Sequence, residues 1–331
     1  MLIIGEKEVM LKVVIIGYGE MLANLIAGAL DAKCKIVGVL RYETVKYNSL
    51  RNKIRDFVAP SVDYSYIKSY NINDIKVKSV NSEEFKKEIL RLNPDVILVG
   101  TWSEKLKKEI INLPKIAFIN THPSLLPKYR GPNPYLEVIR NQELKTGITF
   151  HLMDENYDSG AILLQREVEV QKYDTSKELK ERIIRKIREA VGELLLNLDD
   201  DFIIPLVQNE DKATYYPHIK SEDVMLDFDK SAEEISAHIR ALHPWYRCFF
   251  EYKNQFFSPD AYKIRILTPE NDKYKNLNPG TIVYKNSKTR ELQILTGDRK
   301  IIQFVHVRLY GKLKRFFTRF YIKFFVQAEN N

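Results

Sequence analysis

With 331 residues, 44% of them hydrophobic and 29% charged, the chain is long enough for two domains and a sizeable core, and its composition excludes a disordered protein. No apolar run reaches the roughly 20 residues needed to span a bilayer. Cys34 and Cys248 are too few and too far apart for a disulfide framework and fit a reducing cytoplasm. A net charge of +8 leans towards a polyanionic partner such as RNA or a nucleotide, although a Lys-, Ile- and Tyr-rich composition reaches this value by itself.

The opening "MLIIGEKEVM" lacks the basic region and cleavage site of a signal peptide, and Met10 stands directly before the first strand-like run. Residues 1–9 therefore read as an arm or as a start placed upstream of the true one. "LKVVIIGYG" is a buried strand ending in a glycine turn, "EMLANLIAGAL" has helical spacing, and "KIVGVL" is a second buried strand. Such a βαβ start predicts a parallel sheet covered by helices. Arg41 to Lys78 is irregular, basic and tyrosine-rich. Asn81–Leu92 reads as a helix with an acidic first turn, "PDVILVG" as a strand, "SEKLKKEIIN" as a helix, and "KIAFIN" as the next strand. This alternation predicts a doubly wound fold.

"PNPYLEVIRNQ" reads as a helix entered through prolines. "KTGITFHLMD" and "AILLQREVEV" read as two strands around the turn "ENYDSG". Thr175–Leu198 is a long amphipathic helix, with Thr175 and Glu178 at capping-box spacing, a spacing repeated by Ser231 and Glu234 before "ISAHIRAL". From Trp245 onward short alternating runs separated by turns predict a small all-β domain, barrel-like. The expected organisation is an α/β catalytic domain over 1–205 with a doubly wound, mostly parallel sheet, a polar linker over 206–230, and an OB-like β-barrel domain over 231–331.

The chemistry concentrates in "FINTHPSLLPKYRGPNP". Asn120 and His122 are i and i+2, so on a strand they share a face, and Pro123 ends the ladder after them. They fall at the C-terminal end of a strand in a parallel sheet, where such folds place ligands. An amide and an imidazole aimed at one point suit a carbonyl whose oxygen gains negative charge, with the histidine also able to relay a proton. A carboxylate beside the histidine orients it and holds its charge. Asp158 in the tight turn "MDENYDSG" is the first candidate, with Asp154 and Glu155 as competitors.

"NTHPSLLPKYRGPNP" followed by "TGITFHLMDENYDSGAILLQ" resembles the 10-formyltetrahydrofolate-dependent formyltransferase family, over most of the chain. "ATYYPHI", "IRALHPWYRCFFEY", "PGTIV" and "LQILTGD" resemble the connecting segment and C-terminal barrel of its methionyl-tRNA branch. The resemblance implies a formyltransferase that moves a formyl group from 10-formyltetrahydrofolate to a primary amine, with Asn120, His122 and Asp158 as catalytic residues; no metal is expected, because the six histidines and two cysteines show no ligand spacing. It further implies a folate site lined by Gly100, Thr101, Trp102, Ser124, Leu125, Leu126, Pro127 and Asp154, with Arg130 and Arg41 towards the acceptor. Trp102 is also suited to covering the helix below it.

Two acceptors remain open on these residues: the methionyl group on initiator tRNA, which is the expected one, and a nucleotide-linked amino sugar as the alternative. The first is favoured by the net charge, the C-terminal domain and the basic, aromatic stretch Arg308–Lys323. The second is favoured by "GYGEMLA" at Gly17–Ala23, where the methionyl-tRNA branch that the chain resembles usually has Gly-Thr-Pro-Glu-Phe-Ala, and by a loop after the second strand that lacks glycine. A dinucleotide-binding reading of "GYG" fails, because Leu22 stands where a third glycine belongs. A non-catalytic RNA-binding protein remains a rival that predicts no folate binding.

Overall fold

A computed structural model describes residues 10–41, 61–199, 203–270 and 273–310. The predicted glycine-free loop after the second strand, apart from Arg41, lies outside the described residues, as do the arm over 1–9 and the basic stretch beyond Tyr310.

The chain divides into two compact units. The first comprises the chain to Arg130 together with Gly147–Val168 and Glu181–Tyr215. The second comprises Gly131–Thr146, Glu169–Lys180 and the chain from Tyr216.

In the first unit, strand β1 (Lys12–Gly17), helix α1 (Gly19–Asp31) and strand β2 (Lys35–Arg41) form the expected βαβ start. Helix α2 (Val62–Ser69) follows within the segment that looks irregular in sequence, then α3 (Glu83–Leu92), β3 (Val96–Gly100), α4 (Lys108–Ile111) and β4 (Ala117–His122). Strands β5 (Lys145–Leu152) and β6 (Ile162–Glu169) complete a six-stranded sheet of order β2-β1-β3-β4-β5-β6. β1 pairs in parallel with β2 and β3, and β3 with β4, whereas β5 runs antiparallel to β4.

The runs "VVII" and "VILV" are apolar at every position because both sheet faces are covered. Val14, Ile16, Ile97, Val99 and Phe118 pack with Phe85 and Ile89 of α3 and Ile110 of α4. Alternation sends Val13, Ile15 and Leu98 to the opposite face.

Besides α2, two helices differ from expectation. Ser82 caps α3 by accepting from the Phe85 N–H at 3.2 Å, so the helix opens two residues after Asn81. α4 is one turn rather than a helix over the whole of "SEKLKKEIIN". Asn81 donates to the Lys105 carbonyl at 2.9 Å and accepts from the Lys107 N–H at 2.9 Å, which holds that stretch out of helix while Leu106 enters the core.

In the second unit, α5 (Pro134–Arg140) begins with proline at its first turn. The long α6 (Ser176–Asp199) belongs to this unit up to Lys180 and then to the first. Glu178 accepts from the Thr175 N–H at 3.0 Å, and Ser231 and Glu234 close a full capping box before α7 (Ala232–Leu242). Strands β7 (Phe250–Tyr252), β8 (Gln255–Pro259), β9 (Ile264–Leu267), β10 (Ile282–Asn286), β11 (Glu291–Leu295), β12 (Ile301–Phe304) and β13 (Val307–Tyr310) form two antiparallel sheets, β10-β11-β12-β9 and β13-β8-β7. Phe250 joins them, stacking on Phe257 at 5.5 Å and on Phe304 at 5.8 Å. Among the described residues no helix is long and apolar enough to cross a membrane.

Candidate active site

β4 is flanked by β3 on one side and β5 on the other, so Asn120 is paired on both edges, while His122 beyond it is paired on the β5 edge. The antiparallel register sets His151 opposite Asn120 and Thr149 opposite His122. The turn after β5 then brings Asp158 back over the strand end. Asn120 Nδ2 lies 3.0 Å from His151 Nε2 and 3.3 Å from Asp158 Oδ1. The same carboxylate oxygen is 3.4 Å from His122 Nδ1 and 3.8 Å from His151 Nε2. Of the three carboxylates in the turn, Asp158 is the one brought to His122. Glu155 reaches outward to Lys108 at 3.7 Å.

Hydrogen positions follow from the partners. A backbone carbonyl only accepts, so His151 Nδ1, 2.9 Å from the Leu152 oxygen, carries a hydrogen and leaves Nε2 to accept from Asn120. By the same argument His122 donates through Nε2 to the Tyr129 oxygen at 2.8 Å; Nδ1 faces the Asp158 carboxylate, also an acceptor only, and donates to it when the ring takes up a second proton. Burial pushes the His151 imidazole down to about 4, against the upward pull of Asp158 and with a further downward push from His122. His151 is therefore neutral at pH 7, as its acceptor role requires.

This depression sets an acid-stability window. An unfolded histidine titrates near 6.5, so as pH falls the unfolded chain takes up the proton first. The contribution of His151 to stability is complete above pH 6.5 and is lost as pH falls to about 4. Its size is on the order of 3 kcal/mol. His238, pushed down to about 4 chiefly by burial, adds to the same window. Denaturant titrations at pH 7.5 and pH 4.5 are expected to show a smaller acid loss for His151→Gln than for the wild type; an equal loss overturns the assignment.

The turn and the loop around the site are tied down locally. Asp154 accepts from the Asn156 N–H and the Ser159 hydroxyl, each at 2.9 Å, so its carboxylate braces the turn. Ser124 is fully buried and donates to the Lys128 oxygen at 2.8 Å. Thr149 donates to the Ser124 oxygen at 2.6 Å and accepts from the Leu126 N–H at 3.1 Å, while Gln165 donates to the Leu126 oxygen at 2.8 Å. Leu125 packs over Gly147, and the Pro127 oxygen accepts from the Thr214 N–H at 3.2 Å.

Gly100, at the end of β3, faces α1, where a Cβ would lie 2.6 Å from Met21 and 2.7 Å from Leu25. Thr101 is exposed in a left-handed conformation (φ 64°), and half-buried Trp102 packs on the core under α3. Both predicted acceptor arginines have protein partners. Arg41 is buried, paired with Asp74 at 3.0 Å and lying over the Tyr64 ring at 4.6 Å. Arg130 bonds Gln208 at 2.8 Å and Glu210 through two nitrogens at 2.7 and 2.9 Å.

Family models described as "Formyl transferase" and "Formyl transferase, C-terminal domain" match residues 11–194 and 218–320 in order along the chain. The chain belongs to the formyl transferase family. This formyltransferase is 33% identical to the methionyl-tRNA formyltransferase of Thermotoga maritima over 231 residues, 70% of this chain and 72% of that protein. It is 39% identical to that of Caldanaerobacter subterraneus subsp. tengcongensis over 172 residues, 52% and 56% of the two chains. Its fold is also that of the N-formyltransferase from Helicobacter canadensis, solved with folinic acid and dTDP-3-aminofucose. That likeness has a TM-score of 0.66 and 18% identity, and covers 89% of this chain and 99% of the other.

Around Asp158 Oδ1 gather the Asn120 amide, the neutral His151 imidazole and the His122 imidazole, groups whose chemistry suits hydrogen-bond donation to a carbonyl and proton transfer. The sequence reading missed His151. Its only local signal is the Thr149/His151 alternation on β5, which marks a shared face without saying which strand lies opposite.

Proposed function

We propose that the enzyme transfers the formyl group of 10-formyltetrahydrofolate to the α-amino group of methionyl-tRNA, in the cytoplasm where charged tRNA is found. The observation that carries this reading is the pair of methionyl-tRNA formyltransferases at 33% and 39% identity, together with both family matches in order. The donor supplies an electrophilic carbon on its N10. Asn120 turns its amide hydrogen to the formyl oxygen as that oxygen gains charge, releasing its bond to Asp158 or His151. His122 and Asp158 take the proton that the amine loses and return one to the departing folate nitrogen. One N–C bond forms, one breaks, and the proton count closes. The loop Ser124–Pro127 and the end of β3 at Gly100–Trp102 frame the folate in this reading.

A nucleotide-linked amino sugar is the second reading, favoured by the near-complete structural coverage of the Helicobacter canadensis enzyme. Tetrahydrofolate release is measured with charged initiator tRNA and with nucleotide amino sugars. The expected kcat/KM is at least ~100-fold higher for the tRNA. Turnover with the sugar nucleotides alone overturns the proposal.

A further inference from the structure

The stretch Gln208–Thr214 looks like linker in sequence, yet it touches both loops that carry the candidate site. At one end Gln208 is buried, with 6% of its surface exposed. It donates both amide hydrogens, to the Asp158 and Gly160 oxygens at 2.8 Å each. Its own oxygen accepts from Arg130 Nη2 at 2.8 Å and Nε at 3.3 Å. The two carbonyls on one side and the guanidinium on the other leave the amide one orientation.

At the other end Thr214 Oγ1 accepts from the Tyr129 N–H at 2.8 Å, and the Thr214 carbonyl accepts from the Arg130 N–H at 2.9 Å. Arg130 and Glu210 cross-tie the two ends.

The backbone held in this way is unusual at two places. Tyr129 (φ 63°) and Asp158 (φ 56°) are both left-handed, a conformation that a residue with a side chain keeps only where its surroundings over-determine it. Both positions serve the site. The Tyr129 carbonyl receives the His122 Nε2 hydrogen, and Asp158 carries the carboxylate facing His122 Nδ1.

We infer that Gln208 and Thr214 are positioning residues for formyl transfer, one holding the Asp158 turn and the other the carbonyl that sets the His122 tautomer. The inference rests on the Asn120–His122–Asp158 reading of the site and is independent of which amine is formylated.

The test compares Gln208→Leu, Thr214→Val and Thr214→Ser in the full chain. Two readouts are used: steady-state kinetics, and the long-range nitrogen spectrum of His122 in protein labelled at histidine. Gln208→Leu and Thr214→Val are expected to lower kcat about 10- to 100-fold, with KM for the folate within about threefold. Thr214→Ser, which keeps the acceptor oxygen, is expected to stay within about threefold of wild type in kcat. The wild type and Thr214→Ser are expected to show a single Nε2–H tautomer of His122, and Thr214→Val a mixture.

If Gln208→Leu does not fold, the isosteric Gln208→Glu sets an oxygen against two carbonyl oxygens and is expected to give the same loss of kcat. Folded variants with wild-type kcat, or a single tautomer in Thr214→Val, overturn the inference. A wild-type protein that fails to formylate methionyl-tRNA sinks the acceptor reading and leaves the tautomer test standing.

Discussion

Asp158→Asn is expected to lower kcat by about 10²- to 10⁴-fold, the range for loss of a positioned acid–base group. Asparagine has the shape of aspartate, and the turn is braced through other atoms: the Asp154 carboxylate from within and the backbone oxygens of Asp158 and Gly160 from outside. The substitution therefore leaves the turn in place and removes only the charge. Without it, a protonated His122 has no counter-ion at 3.4 Å, and the Oδ1 acceptor shared by Asn120 is weakened. KM for the folate is expected to move by less than about threefold, because the lost interaction matters most as charge and proton move. Steady-state kinetics from pH 5 to 9 check this. A variant within tenfold of wild type at every pH contradicts the role given to Asp158.

Gly160→Ala is expected to lower kcat by about 100-fold and to destabilise the protein by about 1–3 kcal/mol. A Cβ at this position would stand 1.8 Å from the Leu152 oxygen and 2.8 Å from its carbon. Those atoms are backbone and cannot rotate aside, so the turn must open. The Leu152 N–H bond to the Ala161 oxygen, at 2.9 Å, and the Gln208 bond to the Gly160 oxygen are strained together. Asp158, two residues away, moves with them. A displacement of about 1 Å at the carboxylate is enough for the expected loss. The check pairs kcat, measured well below the melting temperature, with the thermal midpoint. Wild-type kcat in a folded Gly160→Ala protein shows that the turn tolerates the opening.

These residues also show what was legible before the structure. The strands β1, β3 and β4 announce themselves by continuous apolar runs, and the Thr175/Glu178 and Ser231/Glu234 spacings are complete signals within four residues. Asn120 and His122 share a face because the strand period is two, which needs no tertiary knowledge. His151 is different: its place opposite Asn120 depends on the register of two strands separated by a loop and a helix. The short α4 depended on Asn81, more than twenty residues upstream, and Gln208 looked like any polar residue between elements. Local chemistry was readable; partners distant in sequence were not.

The tie between Tyr129 and Thr214 spans 85 positions, and that between Asp158 and Gln208 spans 50. All six strands of the first sheet lie before Ser176, whereas the segment that fastens the two loops is translated afterwards. A ribosome adding about 5–20 residues per second completes the strands a few seconds before it completes that fastening. A growing polypeptide can thus acquire its architecture before the two loops of the candidate site are fastened.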